Sequence, residues 1–381
     1  MKQDWYLHLL CYLYFTDRRN ETNRVDENSE RLWKIQDLFE ILNAIFSKFY
    51  NPSKNLCVDE VIVSFKGRVI FKQYIPKKHK SISIKIFKVC DSTGYTYDIK
   101  VYPGKDRQRT AQQVAATHVT VTELTRKIKG HGHKLYMDNF FSTPELFDDL
   151  TKKQIYCCGT VRPNRRGMPQ DLAPKTSKLK RGDIHVRTGA DLTAILWRDK
   201  RDICMFTNIH NAPAKVNFCN EEGKAIKLQI VMDYNHHMGY VDKSDRMANR
   251  YSISYSTSKW TKKLFFHLLD LAILNGYILH SSCGGKKISH RDFRYTLMRN
   301  MFAHAGAEWR VPRSLDRPPN VESHIARLEV CGSKRWPIPT HLNCRVCQEG
   351  WHKKCPWSAA RAKRDCVLKT CFEDYHTKVQ F

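Results

Sequence analysis

Four aspartates have the residue type and the surroundings of a metal site. Asp242 and Asp245 are three positions apart in the stretch MGYVDKSDRM (238–247), so a helix would carry both on one face. Asp91 ends one alternating apolar run, and Asp138 follows another. Mg²⁺ prefers carboxylate oxygens, and a carboxylate cluster can hold two ions that promote displacement at a phosphodiester. The four acids are therefore the candidate residues of a catalytic metal site.

Each of these acids also has an ordinary structural interpretation. Asp91 precedes a Ser-Thr-Gly turn, and Asp138 stands where a loop would begin. Lys243 and Arg246 would balance the two acids of the helix if that face were simply solvated. Taken together, at two strand ends and on one helix, the acids favour the metal site, because this topology would bring them together.

The periodicity of the chain predicts the elements that would position the first two acids. Residues 82–91 and 95–101 alternate in polarity around a short turn, which predicts two antiparallel strands. The elements that follow are a short third strand near 102–108, a helix over 109–128 and a strand over 133–140. This order matches the start of a ribonuclease-H-like core in an α/β protein, in which Asp91 and Asp138 face each other if their strands are neighbours.

Other segments complete the predicted organisation. Apolar residues at helical spacing predict helices near 31–50, 142–150, 238–252, 259–280 and 289–304. The segment 155–232 changes to strands and basic loops, which indicates a β-rich domain inserted into the core. A Pro-rich stretch at 312–324 predicts a linker to a Cys-rich end.

The charge of the chain points to a polyanionic partner. Lys and Arg number 65 against 38 Asp and Glu, a formal net charge of +27. Nucleic acid is the common partner of such a chain, because each neutralised phosphate releases condensed counterions. A membrane surface is the alternative, but no amphipathic basic helix with an aromatic face stands out, and no signal peptide or transmembrane segment is expected.

Basic residues cluster in segments on either side of the acids in the sequence. These segments are 77–88, 162–167, 178–183 and 243–263. Lys and Arg near carboxylates would guide phosphates to a site that otherwise repels them, and Arg165, Arg166 and Lys259 are the candidate DNA contacts. The alternative is solubilising surface charge.

The Cys-rich end has the spacing of a zinc module. Fourteen Cys without a secretion signal indicate reduced thiols, and several gather near the C-terminus with a His. The candidate ligands are Cys344, Cys347, Cys355, Cys366, Cys371 and His376. A CxxC pair followed by further Cys and His in a short polar segment predicts a Zn²⁺ site, since Zn²⁺ takes four such ligands and the segment has little core of its own. Reduced surface thiols are the alternative.

Seven stretches of the chain, in order, resemble piggyBac-type transposases and the host genes derived from them. They are VDEVIVSFKGR, IKIFKVCDSTGYTYDIKVYPGK, KLYMDNFFSTPELFDDL, CCGTVRPNRRGMP, DYNHHMGYVDKSDRM, KWTKKLFFHLLDLAILNGYIL and the terminal CFEDYH. The resemblance implies that Asp91, Asp138, Asp242 and Asp245 form the catalytic constellation, with Mg²⁺ or Mn²⁺ as the ion. It implies nicking of double-stranded DNA at element end repeats, hairpin excision and joining at TTAA targets.

The resemblance also implies partners and a division into domains. The expected domains are a partial dimerisation and DNA-binding segment (1–85), the first part of the core (86–154), the insertion (155–232), the catalytic helix (233–248), a second dimerisation and DNA-binding segment (249–325), and the linker with the zinc module (326–381). A homodimer, a nuclear location, and a Trp260 that lies close to the active site as a DNA contact are implied; the alternative for Trp260 is a core aromatic at a helix start. The zinc module would recognise end repeats, while a histone-tail or protein-interaction role stays open.

Three departures from the family pattern qualify these expectations. Met1 falls inside the family's first DNA-binding segment, and Tyr240 stands where a second Gly is usual. The family's module holds two Zn²⁺, but Ser358 breaks the second CxxC, so the site of Cys355 and His376 is incomplete. The rival hypothesis is a DNA- or chromatin-binding protein that keeps the fold without catalysis, and a zinc-only adaptor would leave the acids unexplained.

Overall fold

The computed structural model describes residues 3–16, 31–75, 82–104, 115–172, 179–189, 191–213, 218, 226–253 and 256–306. Residues 1–297 form one compact unit, and all of the described strands lie in it. Of the second unit, 298–381, only the residues up to 306 are described. The protein is a mixed α/β protein with a large sheet.

The described strands are β1 (Asn55–Ser64), β2 (Gln73–Tyr74), β3 (Ile82–Asp91), β4 (Thr96–Val101), β5 (Lys134–Met137), β6 (Tyr156–Thr160), β7 (Ile184–Gly189), β8 (Leu192–Arg198) and β9 (Asp202–Thr207). The described helices are α1 (Gln3–Cys11), α2 (Gln36–Lys48), α3 (Ala116–Leu124), α4 (Pro144–Thr151), α5 (Gln229–His237), α6 (Tyr240–Asn249), α7 (Trp260–Ser282) and α8 (His290–His304). The predictions of β3, β4, β5 and of the helices that include α2, α4, α6, α7 and α8 are therefore confirmed.

One sheet contains all nine described strands, in the order β2-β3-β1-β5-β6-β9-β8-β7, with β4 paired to β3. The pairs β1–β3 and β3–β4 are antiparallel, whereas β1–β5 and β5–β6 are parallel. The parallel pairs require crossovers, which the chain makes through α3 and α4. The centre of the sheet is thus a three-stranded meander followed by two parallel strands.

The strands that carry Asp91 and Asp138 are not neighbours, and that expectation is wrong. Strand β1 lies between β3 and β5 and pairs with both. Its sequence NLCVDEVIVS has buried residues on both faces, which is typical of a central strand. The sheet therefore takes in residues from 55 onward, before the core boundary predicted at 86.

Two further predicted boundaries differ from the structure. The third core strand is β4, and the strand predicted near 102–108 lies mostly outside the described residues, as does the first part of the helix predicted over 109–128. Strand β6 pairs directly with β5, and β9, β8 and β7 extend the same sheet. The predicted insertion 155–232 thus contributes strands that continue the central sheet, while the division into domains stays a prediction.

Apolar side chains cover the sheet on both faces. On one face α3 and α4 pack on residues of the central strands, among them Leu56, Val58, Leu135 and Met137. On the other face α2 and α7 pack on β3 and β4, and α5 and α6 lie beside them over β1 and β5. Helix α4 begins as predicted, with Pro144 in the first turn and the Thr143 hydroxyl accepting from the Leu146 amide at 3.2 Å.

Helix α7 is long and apolar enough to cross a membrane by length and composition, and no other helix in the described part of the chain is. Its apolar side chains pack in the interior, where Leu264, Leu268, Leu271 and Leu274 are fully buried. Asp270 and Asn275 are buried in the same helix and make hydrogen bonds to neighbouring segments. This pattern is typical of the core helix of a folded domain.

Candidate active site

Two carboxylates meet where β1 and β5 run side by side. The parallel register pairs Val58 with Met137, so the next residues along the two strands are Asp59 and Asp138. Neighbouring strands are about 4.8 Å apart, which brings the two side chains within reach of one ion. Asp59 lies on the same face of β1 as Cys57 and Val61, which pack against the start of α6.

Hydrogen bonds hold both carboxylates, Asp59 within β1 and Asp138 just after the end of β5. Asp138 Oδ1 accepts from the Phe140 amide at 2.9 Å, and the Asp138 carbonyl accepts from the Ser142 hydroxyl at 2.9 Å. Asp59 Oδ1 accepts from the Glu60 amide at 2.7 Å. The chain turns directly after Asp138, and this turn presents its side chain beyond the end of β5.

The electrostatics show that the acids crowd one another. The pKa of Asp59 is raised to about 7: burial is the largest cause, and the charges of Glu60, Asp138 and Asp242 add to it, against the lowering effect of its backbone hydrogen bond. Burial likewise raises the pKa of Asp138, with Glu60 adding to the effect. Carboxylates placed so close together favour a proton or a cation between them.

Helix α6 carries the third acid toward this pair. Asp242 is exposed in the first turn of α6, and its negative charge acts on Asp59. The helix is fixed to β3 by Lys243, whose Nζ donates to the Ser92 carbonyl at 2.7 Å, and by Lys88 Nζ, which donates to Ser244 Oγ at 3.1 Å. Asp242 thus lies on a helix that two hydrogen bonds attach to β3 and to the residue that follows β3.

Asp245 lies one turn further along α6, beside a cavity. It lines a cavity of about 350 Å³ together with Ile62, Lys263 and His267. Its Oδ1 is buried and has no hydrogen-bond partner in the described part of the chain. Because a buried carboxylate oxygen without a partner carries a desolvation cost, this atom is available to a water or a cation.

The carboxylates of Asp59 on β1, Asp138 after β5 and Asp242 on α6 offer oxygen atoms, which are the ligands that Mg²⁺ prefers. Within the residues that the structure describes, no three His, Cys, Asp or Glu side chains already stand at ligand spacing. The strand register places Asp59 and Asp138 side by side, and Asp242, whose charge acts on Asp59, would complete a three-carboxylate site.

Asp91 is not brought to this pair. It ends β3 opposite Leu56, whereas Asp59 pairs with Lys88, three positions away. Asp91 is almost fully buried and accepts hydrogen bonds from the Tyr50 hydroxyl at 2.6 Å and from the Thr93 hydroxyl at 2.6 Å. Its metal role stays a prediction from resemblance, and the geometry favours Asp59 in its place.

Asp59 is the residue that the analysis of the sequence missed. The acids predicted from the sequence lie at strand ends and on one helix, whereas Asp59 lies in the interior of β1. A signal was present, because VDEVIVS puts two acids inside an alternating apolar run. A carboxylate within a central strand needs a partner or an ion, since its burial is otherwise costly.

Two basic side chains lie beside the pair. Arg165 donates from Nη2 to the carbonyls of Asn139 at 3.1 Å and Phe140 at 3.0 Å, in the turn after Asp138. Burial lowers the pKa of Arg165, while the Asp138 charge raises it. Lys85 Nζ is 3.3 Å from Glu60 Oε2 and 3.8 Å from the centre of the Phe140 ring. Both side chains hold the turn that presents Asp138.

The other predicted DNA contacts have different neighbours, and their role in DNA binding stays a prediction. Arg166 is exposed and approaches Glu145 at 3.9 Å. Lys259 and Trp260 line a cavity of about 460 Å³ with Trp33 and Tyr14, and none of the four predicted acids lines it. The predicted zinc ligands lie outside the described residues; they are Cys344, Cys347, Cys355, Cys366, Cys371 and His376.

Gly159 on β6 offers a test of how tightly Asp138 is positioned. A Cβ at Gly159 would stand 2.6 Å from the Met137 carbonyl oxygen and would collide with Ser142 Oγ, which bonds the Asp138 carbonyl. We expect Gly159→Ala to weaken Mn²⁺ binding about tenfold and to lower the melting temperature, because the residues flanking Asp138 must shift. Gly189→Ala on β7, where nothing lies within 4 Å, is the matched control and should change neither quantity.

Calorimetric titration of Mn²⁺ into both glycine variants measures this effect. Equal affinity in Gly159→Ala and in the parent protein would show that the backbone beside Asp138 tolerates displacement. In that case the position of Asp138 is not set by its contact with β6.

Comparisons with known proteins give matches along most of the chain. A family model described as Transposase IS4 matches residues 1–277. PiggyBac transposable element-derived protein 5 of Homo sapiens is 22% identical over 295 residues, which cover 73% of this chain and 56% of that protein. PiggyBac transposable element-derived protein 3 of Homo sapiens is 25% identical over 308 residues, which cover 77% of this chain and 51% of that protein. The chain spans about half the length of these curated relatives.

A solved structure is similar to the fold. It is a cryo-EM structure of the piggyBac transposase synaptic complex with hairpin DNA, with a TM-score of 0.70 and 24% sequence identity. The match covers 97% of this chain and 77% of that chain.

Proposed function

The chain belongs to the Transposase IS4 family, among its piggyBac-type members, and on this premise we propose that it is a metal-dependent DNA strand transferase or a domesticated derivative of one. The observation that carries the proposal is the pair Asp59 and Asp138, with the charge of Asp242 on α6 acting on Asp59. The order β4-β3-β1-β5-β6 supports a ribonuclease-H-like core, in which such acids lie on central strands.

Asp59, Asp138 and Asp242 would hold Mg²⁺ or Mn²⁺, and the bound ions supply activation of a hydroxyl nucleophile and stabilisation of the leaving oxygen at a phosphodiester. Asp59 must be deprotonated for this, and its raised pKa means that the cation competes with a proton for the same oxygens. Arg165 and Lys85 fix the turn after Asp138, so they orient the carboxylate against the repulsion of its neighbours.

The finer features of the proposal rest on resemblance. They are nicking of double-stranded DNA at element end repeats, hairpin excision, joining at TTAA targets, a homodimer, a nuclear location and a zinc module that binds the end repeats. The net charge of +27 supports a DNA partner, because phosphate contacts dominate such binding. Lys259 and Trp260, at the cavity before α7, are proposed DNA contacts away from the metal.

A second candidate function is DNA or chromatin binding without catalysis. The observation that favours it is the spacing of the acids, since no three ligand side chains are already gathered among the described residues. In that case the basic surface would bind DNA and the acids would be a remnant of the site. The two functions differ in whether the protein cleaves DNA when a divalent metal ion is present.

A nicking assay separates them. Purified protein with Mg²⁺ is incubated with a duplex that carries an element end repeat, beside Asp138→Asn and the control Asp199→Asn, a half-buried acid paired with Arg181 at 3.4 Å. We expect nicking by the parent and by Asp199→Asn, and none by Asp138→Asn. Nicking that persists in Asp138→Asn would remove Asp138 from the mechanism, and DNA binding without nicking by the parent would support the second function.

A further inference from the structure

One carboxylate outside the proposed metal site gathers three partners from different elements. Asp233 Oδ2 on α5 accepts from the Tyr136 hydroxyl at 2.6 Å and lies 3.0 Å from His210 Nε2. Asp233 Oδ1 lies 3.2 Å from His237 Nδ1, which also lies 2.7 Å from the Asp233 carbonyl oxygen. No other role described above uses these four side chains.

The four residues connect the elements that carry the metal-site acids. Tyr136 is on β5, two residues before Asp138, and His210 follows β9. His237 ends α5, and α6 begins at Tyr240, two residues before Asp242. One carboxylate thus joins the strand that carries Asp138 to the chain segment from which α6 starts.

Aromatic packing strengthens this connection. The Tyr136 and His237 rings are stacked, with centroids 4.3 Å apart and planes 10° apart. The His237 ring meets the Tyr240 ring edge to face at 5.6 Å. A continuous row of rings therefore runs from β5 to the first residue of α6, and such pairs prefer these geometries.

The charge of Asp233 is held by its partners. Burial raises its pKa, but the Tyr136 hydrogen bond and the two His residues outweigh burial and lower it overall. An ionised carboxylate bonded to several donors is a strong positioning group, because charge-assisted hydrogen bonds are shorter and stronger than neutral ones. An Asn at this position would turn an amide group toward one of the donors and lose that bond.

We propose that Asp233, with Tyr136, His210 and His237, is a positioning network that sets the distance between Asp138 and Asp242 and thereby the metal affinity of the site. The inference rests on the proposed function, because it assigns the network a role toward the metal that those acids would hold. Supporting groups around a metal site change affinity about 10- to 100-fold when removed. We expect a loss of about tenfold on Asp233→Asn, since the network acts through the backbone.

Mn²⁺ titration with electron paramagnetic resonance detection of the free ion tests the proposal on the whole chain. The variants are Asp233→Asn and Tyr136→Phe, which keeps the stacked ring but lacks the hydroxyl. The matched control is Asp270→Asn, a buried carboxylate on α7 that accepts from the Ser252 hydroxyl at 2.7 Å and lies on a different helix from the acids. Thermal unfolding of every metal-free variant is measured in parallel.

The expected result is weaker Mn²⁺ binding by Asp233→Asn, a smaller loss for Tyr136→Phe, and unchanged affinity for Asp270→Asn despite a lowered melting temperature. If Asp233→Asn does not fold, Tyr136→Phe alone decides. Affinity within twofold of the parent in the folded variants would overturn this inference and leave the proposed function intact. Absence of any Asp138-dependent Mn²⁺ binding by the parent would instead overturn the proposed function, and the inference with it.

Discussion

Asp59→Asn is expected to abolish metal-dependent DNA cleavage and to weaken Mn²⁺ binding more than about a hundredfold, beyond the range seen for supporting groups. The variant removes one of the two carboxylates that the register of β1 and β5 places together. It keeps the side-chain shape, and it removes a charge that its neighbours repel. The metal-free variant should therefore be at least as stable as the parent, so the loss of function occurs without unfolding.

Asp91→Asn is the control variant for the prediction on Asp59→Asn. Asp91 is buried and accepts from Tyr50 and Thr93, so its replacement is expected to cost about 1–3 kcal/mol in free energy of unfolding. Mn²⁺ affinity should be unchanged, because Asp91 lies away from Asp59 and Asp138 in the sheet. Calorimetry and urea unfolding measure the two quantities. Loss of metal binding in a folded Asp91→Asn, with retention in Asp59→Asn, would restore the assignment made from resemblance.

Asp59 is expected to contribute more to the stability of the metal-free protein as the pH falls from about 7 toward 4, measured as the difference between the parent and Asp59→Asn. The pKa of Asp59 is about 7 in the folded protein against an ordinary value of 3.8, so the folded state binds the proton more tightly than the unfolded state does. The free energy of unfolding therefore decreases as the pH rises through this window, by at most about 4 kcal/mol from this group. Asp138, whose pKa is also raised, contributes in the same direction.

Saturating Mn²⁺ should reverse this pH dependence, because the ion binds the deprotonated carboxylates and stabilises the folded state by mass action. Urea unfolding at pH 5 and pH 7.5, with and without Mn²⁺, measures the effect. Asp59→Asn provides the control, in which most of the difference between the two pH values disappears. A stability difference between the metal-free parent and Asp59→Asn that does not change with pH in this window would show that Asp59 is not crowded in solution.

The local features of the site were predictable, whereas its assembly was not. The spacing in MGYVDKSDRM correctly predicted α6, and alternation correctly predicted β3 and β5. The sequence also singled out Arg165, which lies beside Asp138. Periodicity describes each strand alone and carries no information on which strands pair, so the position of β1 between β3 and β5 could not be derived from it.

The choice of acid depended on that missing information. Asp91 was selected as the end of an apolar run, on the premise that β3 adjoins β5. Once β1 is known to lie between them, the register selects Asp59. The Asp233 network was equally inaccessible, because its four members are spread along the chain and only tertiary contacts join them. Pairing between strands that are distant in the sequence therefore determines which residues form the site, whereas the local sequence pattern determines the individual helices and strands.

The parallel pairing of β1 with β5 also determines when the site can come into existence during folding. His133 and Ser53, which contact each other beside this pair, are 80 positions apart, and Tyr136 and Asp233 are 97 apart. Contacts of such long sequence separation form slowly, because closing long loops costs entropy before any contact is gained. During synthesis, β1 cannot pair with β5 until β5 has been made, and the site cannot be completed until α6 has been made. The acids on β1, β5 and α6 are therefore expected to meet late in folding, because these elements are far apart in the chain.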